Sequence, residues 1–394
     1  SIPVEPREKE PVAMPESELR AIIITPALWI DENEDIMLDN IETLMLKIAE
    51  ANYNTVFFTI SDPTVIYYPS NIENIQSNPV IESSGFDPIH AAEESAHSNG
   101  LKIFAGVDLA ILGLESLEKE PDLTNSSLPK SKVYAKEIIF ELSNNYNIDG
   151  FSFDMSRTSN NTQSIDSAGF TDLLEDIVVE AMLLKPYLIN SIFCNLDQRS
   201  FSLNLMEQGI VDFVVPRISP GSKESFSEQI FRMSNSLKEK SNIDKIFPSI
   251  SVNETAFSEK KMVEYIQVFR ENGGRGMVVS SYEPIESSLT DENLPYNYPS
   301  EIKVPDDLKY ITPYEIVGLN FSELFPGSHG GQVVTIKPEN RGKITDLNGN
   351  IGFIKLKLDT LLLEVSNKAF VLPTDAWSIP YKYALSSENQ VERR

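Results

Sequence analysis

Acidic side chains close several of the short apolar segments in the first three quarters of this sequence. Asp108 and Asp154 stand at the ends of two such segments, and Glu254 and Glu283 follow two others. Paired carboxylates can act as proton donor and as nucleophile or base. Aromatic and polar residues at comparable positions are candidates for holding a ligand; these are Trp29, Asp62, Tyr68, Arg157, Asn195, Arg217 and Tyr282.

The segments that carry these residues alternate with stretches of helical period. Eight strand-like runs occupy residues 21–28, 55–61, 102–109, 150–156, 190–196, 212–219, 246–252 and 275–282. Amphipathic stretches predict helices near 34–52, 88–99, 130–145, 167–185, 200–208, 223–240 and 258–272, and an eighth near 306–325.

Eight β/α units predict a (β/α)8 barrel, or TIM barrel, over residues 19–327. A doubly wound open sheet gives the same alternation of strands and helices. The count of eight favours the barrel, as does the lack of a Gly-x-Gly-x-x-Gly turn after the first strand. Active sites of such barrels lie at the C-terminal ends of the strands, where the candidate residues fall.

The remaining segments differ in pattern from the barrel. Residues 328–385 alternate apolar and polar side chains and predict a small all-β, sandwich-like module. We expect residues 386–394 to form a disordered tail and the proline- and charge-rich residues 1–18 to form a flexible leader. Such a leader fits a removed secretion or lipoprotein signal, although an arbitrary cloning boundary would look the same.

Composition narrows the classes of partner. Lys and Arg number 33 against 59 Asp and Glu, a net charge of −26 with no basic cluster, so we expect neither nucleic acid nor an anionic membrane surface as a partner. No apolar run is long enough for membrane insertion. One cysteine, Cys194, and three histidines predict no disulfide, no metal site and no cofactor. The oligomeric state stays open.

Asp154 is the strongest single candidate. In DGFSFDMSR (149–157) side chains alternate, so Phe151 and Phe153 share one face of the strand, and Ser152 and Asp154 share the other. If the phenylalanines pack under the helices, Asp154 points into the barrel, with Arg157 as the nearest partner. Asp149, at the start of the same strand, is predicted to be structural.

The chain resembles the glycosyl-hydrolase-like 10 family of bacterial barrel proteins. The resemblance rests on LRAIIITPALW (19–29), NTVFFTIS (54–61) with YYPS (67–70), GFDPIHAAEESAHSNGLKIFA (85–105), YNIDGFSFDMSR (146–157) and GIVDFVVPRIS (209–219). It implies a glycan-active barrel outside the cytoplasm, either periplasmic or at the cell surface. The family's acid at the end of the fourth strand falls on Asp154, and its Asp-Gly pair on Asp149 and Gly150.

Departures from the family pattern leave three functions open. The second strand ends in Thr59–Asp62 instead of a Gln-x-Arg triplet, and Met155 stands where a second acid often follows Asp154. The sequence predicts a glycoside hydrolase acting on a polysaccharide or oligosaccharide. These departures favour the alternative of a non-catalytic glycan-binding protein on a degenerate barrel. A third alternative is a scaffold whose β-module docks a partner.

Overall fold

A computed structural model describes most of the chain. The described residues are 17–73, 75–109, 130–156, 167–219, 221–237, 240–251, 259–280, 314–322, 324–325, 330–337, 341–345, 348–356, 361–365, 368–372, 381–385 and 391–393.

Eight parallel strands form a closed barrel in chain order, which confirms the predicted fold class. The strands are β1 (Leu19–Ile24), β2 (Thr55–Thr59), β3 (Lys102–Asp108), β4 (Gly150–Asp154), β5 (Ile189–Cys194), β6 (Phe213–Ile218), β7 (Ser249–Ser251) and β8 (Gly276–Ser280). Pairing of β1 with β8 closes the ring, so every barrel strand has two neighbours.

Helices surround the barrel. They are α1 (Glu34–Glu50), α2 (Pro79–Ser84), α3 (Pro88–Ser98), α4 (Lys130–Asn145), α5 (Ser167–Leu184), α6 (Arg199–Glu207), α7 (Lys223–Ser236) and α8 (Glu259–Glu271). Several begin at a side-chain cap; Asp87, for example, accepts hydrogen bonds from the backbone amides of Ile89 and His90. None of the described helices combines the length and the apolar character needed to cross a bilayer.

Side-chain alternation divides the barrel into an inner and an outer core. Phe57, Phe104, Phe193 and Phe213 pack together inside the ring, with ring centroids 5.0–6.4 Å apart for the Phe57 pairs. Phe151 and Phe153 of β4 belong instead to the layer between strands and helices. The prediction that β4 turns its phenylalanines outward and Ser152 and Asp154 inward is therefore supported.

A module of two four-stranded sheets follows the barrel. One sheet contains β10 (Val333–Lys337), β11 (Arg341–Ile344), β13 (Leu361–Val365) and β14 (Lys368–Leu372). The other contains β9 (Tyr314–Asn320), β12 (Asn350–Leu356), β15 (Tyr381–Leu385) and β16 (Val391–Arg393). A small apolar core lies between them, including Phe321, Val334 and Phe353.

One predicted helix and three predicted boundaries need correction. The helix predicted near 306–325 is wrong over its described part, because residues 314–320 form β9 and pair with both β12 and β15. The module therefore begins before residue 328, and β16 lies inside the predicted disordered tail. The leader ends before residue 18, since Glu18 is buried and its carboxylate pairs with Arg20 and Arg270.

Helix α5 carries the contact between barrel and module. Lys343 of β11 is fully buried, and its Nζ lies 2.6 Å from Asp176 Oδ1, 2.7 Å from Glu175 Oε2 and 2.7 Å from the carbonyl oxygen of Gly352. Glu175 also accepts a hydrogen bond of 2.7 Å from the backbone amide of Ile354. Burial alone would lower the pKa of Lys343, but the two carboxylates outweigh it and raise that pKa.

Replacing Lys343 by methionine should destabilise the protein by about 3–5 kcal/mol at pH 7, because two buried carboxylates lose their cation. Lys337→Met is the matched control, since its ion pair with Glu364 is largely exposed and contributes about 0–1 kcal/mol. Chemical denaturation followed by circular dichroism measures both. A raised pKa means that the Lys343 contribution is present below about pH 10 and is lost as pH rises through the folded-state pKa. Equal destabilisation by the two variants would contradict the buried cluster.

Candidate active site at the C-terminal end of the barrel

Two carboxylates lie side by side at the C-terminal end of β3 and β4. Asp108 and Asp154 are Cα partners in the parallel register of these strands. Residues an even number of positions apart on a strand lie on the same face. Asp108 follows Phe104 of the inner core by four residues, and Asp154 follows the inward Ser152 by two, so both carboxylates point inward. Asp154 retains 22% exposure of its side chain, whereas Asp108 retains 4%.

Asp154 accepts hydrogen bonds on both oxygens. Arg217 Nη2 donates to Oδ2 at 2.6 Å, and the amide and hydroxyl of Ser156 donate to Oδ1 at 2.9 and 2.6 Å. The Arg217 cation thus faces the carboxylate from β6, two strands away in the ring. The arrangement fixes the plane of the carboxylate and suits its anionic form.

Small polar groups continue the inner wall beyond Arg217. Ser249 of β7 is the Cα partner of Arg217 and follows Phe247 of the inner core by two residues. The Nε of Arg217 and the Oγ of Ser249 are both shielded, and neither has a hydrogen-bond partner within the described part of the chain. Buried donors of this kind normally meet a partner, so this part of the wall fits a water or a ligand oxygen.

The segment after β5 holds the turn that follows Asp154. Asn195 Nδ2 donates to the carbonyl oxygen of Ser156 at 2.9 Å, and Gln198 Nε2 donates to that of Met155 at 3.0 Å. Asn195 was predicted to bind substrate. Its side-chain amide makes this hydrogen bond within the protein, two residues beyond Asp154, and a role in substrate binding stays a prediction.

Asp62 is occupied by its own turn. Its Oδ1 accepts from the amides of Thr64 and Val65 and from the Thr64 hydroxyl, and its Oδ2 accepts from the Tyr67 hydroxyl at 2.8 Å. Partial burial would raise the pKa of Asp62, but these hydrogen bonds outweigh it and hold the pKa below its ordinary value. Such a carboxylate orders the loop after β2, and the structure does not bring it to Asp154.

Two of the three aromatic residues predicted to hold a ligand, Trp29 and Tyr68, are buried. Trp29 stacks on Phe58 at 5.5 Å, and Tyr68 contacts Tyr146 edge-on at 6.1 Å. Both rings belong to the layer between strands and helices, and burial raises the pKa of Tyr68. Neither ring offers a face to a ligand here, which corrects the prediction that Trp29 and Tyr68 hold one.

One residue predicted to be structural lies at the opposite end of the barrel. Asp149, which immediately precedes β4, accepts a hydrogen bond of 2.9 Å from the backbone amide of Ile103. Lys102 and His97 also contact its carboxylate, at 3.3 and 3.0 Å.

Cys194 is buried, and burial raises the pKa of its thiol to about 12, which keeps it protonated at neutral pH.

Four predicted site residues lie outside the described part of the chain: Arg157, Glu254, Tyr282 and Glu283. Two contributors were missed by sequence reasoning. Ser156 had a local signal, because a serine two residues after an aspartate often forms this kind of turn. Gln198 had none, since it meets Met155 only after the barrel closes. Among the described residues, no three His, Cys, Asp or Glu side chains converge as metal ligands would.

Comparison with known proteins gives matches among solved structures alone. No family model matches the chain, and no curated protein matches it. The PgaB (BpsB) glycoside hydrolase domain from Bordetella bronchiseptica is 11% identical over 68% of this chain and 95% of that chain, with a TM-score of 0.48. The endo-1,4-β-D-mannanase from Thermotoga petrophila is 11% identical over 74% and 97%, with a TM-score of 0.47. A maltogenic α-amylase from Thermotoga neapolitana is 11% identical over 95% and 93%, with a TM-score of 0.40.

Asp62→Ala should lower the free energy of unfolding by about 1–2 kcal/mol at pH 7, because the loop after β2 loses its side-chain acceptor. The lowered pKa means that this contribution is present above about pH 4 and is lost as pH falls through the folded-state pKa. Urea denaturation at pH 7 and pH 3 tests this. A stability difference that stays constant between the two pH values would contradict the assigned role.

Proposed function

We propose that the chain is a glycoside hydrolase that cleaves a polysaccharide or oligosaccharide at the C-terminal end of its barrel. The observation that carries the proposal is the placement of Asp108 and Asp154 side by side on the inner face of two neighbouring strands. Glycoside hydrolysis needs two carboxyl groups, one to protonate the leaving oxygen and one to act as nucleophile or base.

Asp154 takes the role of nucleophile or base in this proposal. Its contacts with Arg217 and Ser156 suit an anionic carboxylate held in one orientation. Asp154 is also the more exposed member of the pair, so a sugar ring can approach it more readily. Asp108 is then the partner acid.

The wall next to Asp154 supports a hydroxyl-rich ligand. Arg217 and Ser249 present polar atoms without a protein partner in the described residues, and sugar hydroxyls both donate and accept hydrogen bonds. The proposal assigns these two side chains to substrate binding. Arg157 and Tyr282, which lie outside the described residues, keep the same role as proposals from the sequence.

The family and location of the protein are part of the proposal. The ordered series of segments from residue 19 to residue 219 supports the glycosyl-hydrolase-like 10 family. That resemblance in turn supports a periplasmic or cell-surface location. The net charge of −26 supports a glycan as partner over nucleic acid.

Asp154→Asn should abolish the release of reducing ends from a panel of polysaccharides, while the melting temperature changes by only about 1–3 °C. The Arg217 contact is partly exposed and contributes little to stability, so the loss is chemical. Asp62→Asn is the matched control, because it alters another strand-end aspartate outside the pair. Full activity in Asp154→Asn would refute the assignment.

The second carboxylate can be identified by comparing three variants. Asp108→Asn should reduce cleavage by at least about 10²-fold, as expected for loss of general acid catalysis. Glu254→Gln and Glu283→Gln address the two alternatives that follow β7 and β8 in the sequence. A cleavage defect confined to one of the glutamate variants would transfer the role from Asp108 to that residue.

One observation favours the glycan-binding alternative. Both oxygens of Asp154 already have protein partners, and Asp108 is almost entirely buried. A binding protein could keep this ordered pair without using it in chemistry. That alternative gains support if the wild-type protein retains glycans on an array, produces no reducing ends and binds equally well as Asp154→Asn.

A further inference from the structure

Gln198 joins two segments at the mouth of the barrel. It closes the turn between β5 and α6, and only 3% of the residue is exposed. Its Oε1 accepts from the backbone amide of Asn195 at 2.9 Å, and its Nε2 donates to the carbonyl oxygen of Met155 at 3.0 Å. The side-chain amide therefore connects the end of β5 to the residue that immediately follows Asp154.

The Met155–Ser156 turn is held from several sides. The amide of Met155 donates to the carbonyl oxygen of Phe193 at 3.1 Å, continuing the strand ladder one residue past Asp154. Asn195 Nδ2 donates to the carbonyl oxygen of Ser156 at 2.9 Å. Gln198 also holds the backbone amide of Asn195. It therefore supports the hydrogen bond from Asn195 to Ser156 in addition to its own hydrogen bond to Met155.

The turn in turn orients the carboxylate. Ser156 donates its amide and its hydroxyl to the same oxygen of Asp154, Oδ1, at 2.9 and 2.6 Å. This leaves Oδ2 directed at Arg217, 2.6 Å away. A shift of Ser156 would release Oδ1 and allow the carboxylate to rotate away from Arg217.

We infer that Gln198 is a positioning residue for Asp154, acting through the backbone of Met155 and Ser156. The catalytic consequence of this inference rests on the proposed function, whereas the positioning itself does not. The hydrogen bonds of the Gln198 side chain reach the backbone of Asn195 and Met155, so its effect on chemistry passes through the turn. Misplacement of a reacting group by about 1 Å can cost roughly 10²-fold in rate.

Gln198→Met tests the inference, because methionine keeps the length of the side chain and removes both hydrogen bonds. Asn54→Leu is the matched control. Asn54 is likewise a buried amide, 7% exposed. At the opposite end of the barrel its side chain joins the residue before β2 to the start of β1, accepting from the Arg20 amide at 3.0 Å and donating to the Glu18 carbonyl oxygen at 2.8 Å. Both variants should lose comparable stability.

Hydrogen exchange of the Ser156 amide, measured by NMR, reads the positioning without any substrate. We expect at least about tenfold faster exchange in Gln198→Met than in Asn54→Leu, with the amide of Ile103 at the far end equally protected in Gln198→Met and wild type. Equal protection of Ser156 in the two variants would overturn the inference. In the cleavage assay, kcat should fall about tenfold or more in Gln198→Met with little change in KM.

Gln198→Glu gives a second test through pH. At neutral pH an ionised carboxylate would face the Met155 carbonyl oxygen and repel it, whereas the protonated acid can donate as the amide does. Ser156 protection, relative to Gln198→Met at the same pH, should recover on acidification below about pH 5. Absence of recovery would count against the inference. Loss of Ser156 protection together with no glycan cleavage by the wild type would support the positioning role and refute the proposed function.

Discussion

Closure of the strand ladder is the constraint on which the site depends. Because β1 pairs with β8, every barrel strand has two neighbours, and each residue is committed to the inside or the outside of the ring. On β4 this commitment sends two phenylalanines to the helices and Asp154 to the interior. A carboxylate on the inner face of the barrel is tolerated here because it lies at the solvent-accessible end of the strands and has Arg217 as a partner.

The sequence was sufficient to predict the repeated strands and helices of the barrel. Eight apolar runs and the helices between them follow from local periodicity, and the inward direction of Asp154 follows from alternation over DGFSFD. β9 was mistaken for a helix because Tyr314–Asn320 mixes apolar and polar residues in a way that suits either period. Its pairing with β12 and β15, which are distant in sequence, decides the outcome.

The site itself was predictable in position and less so in its contacts. Asp108 and Asp154 could be placed at strand ends, but their register depends on the assembled sheet. Arg217 is a partner of Asp154 that the sequence did not predict, because 63 residues separate the two. The predicted partner Arg157 lies outside the described residues. Trp29 was misjudged because it ends a short 3-10 turn (Pro26–Leu28) after β1, and the sequence does not give the direction of its ring; in the structure the ring stacks on Phe58.

The close fit between α5 and the module has a consequence for how the chain can be divided. A Cβ on Gly352 would lie 2.3 Å from Val179 Cγ1, so the backbone of β12 packs directly against a side chain of α5 and leaves no room for a larger residue. Beside this contact, Glu175 and Asp176 of α5 are buried around Lys343. A shortened chain ending after β8 would expose the surface around Val179. It would also leave Glu175 and Asp176 without Lys343 as their counter-ion. The barrel and the β-module should therefore be expressed together, and a truncation should not separate α5 from the module.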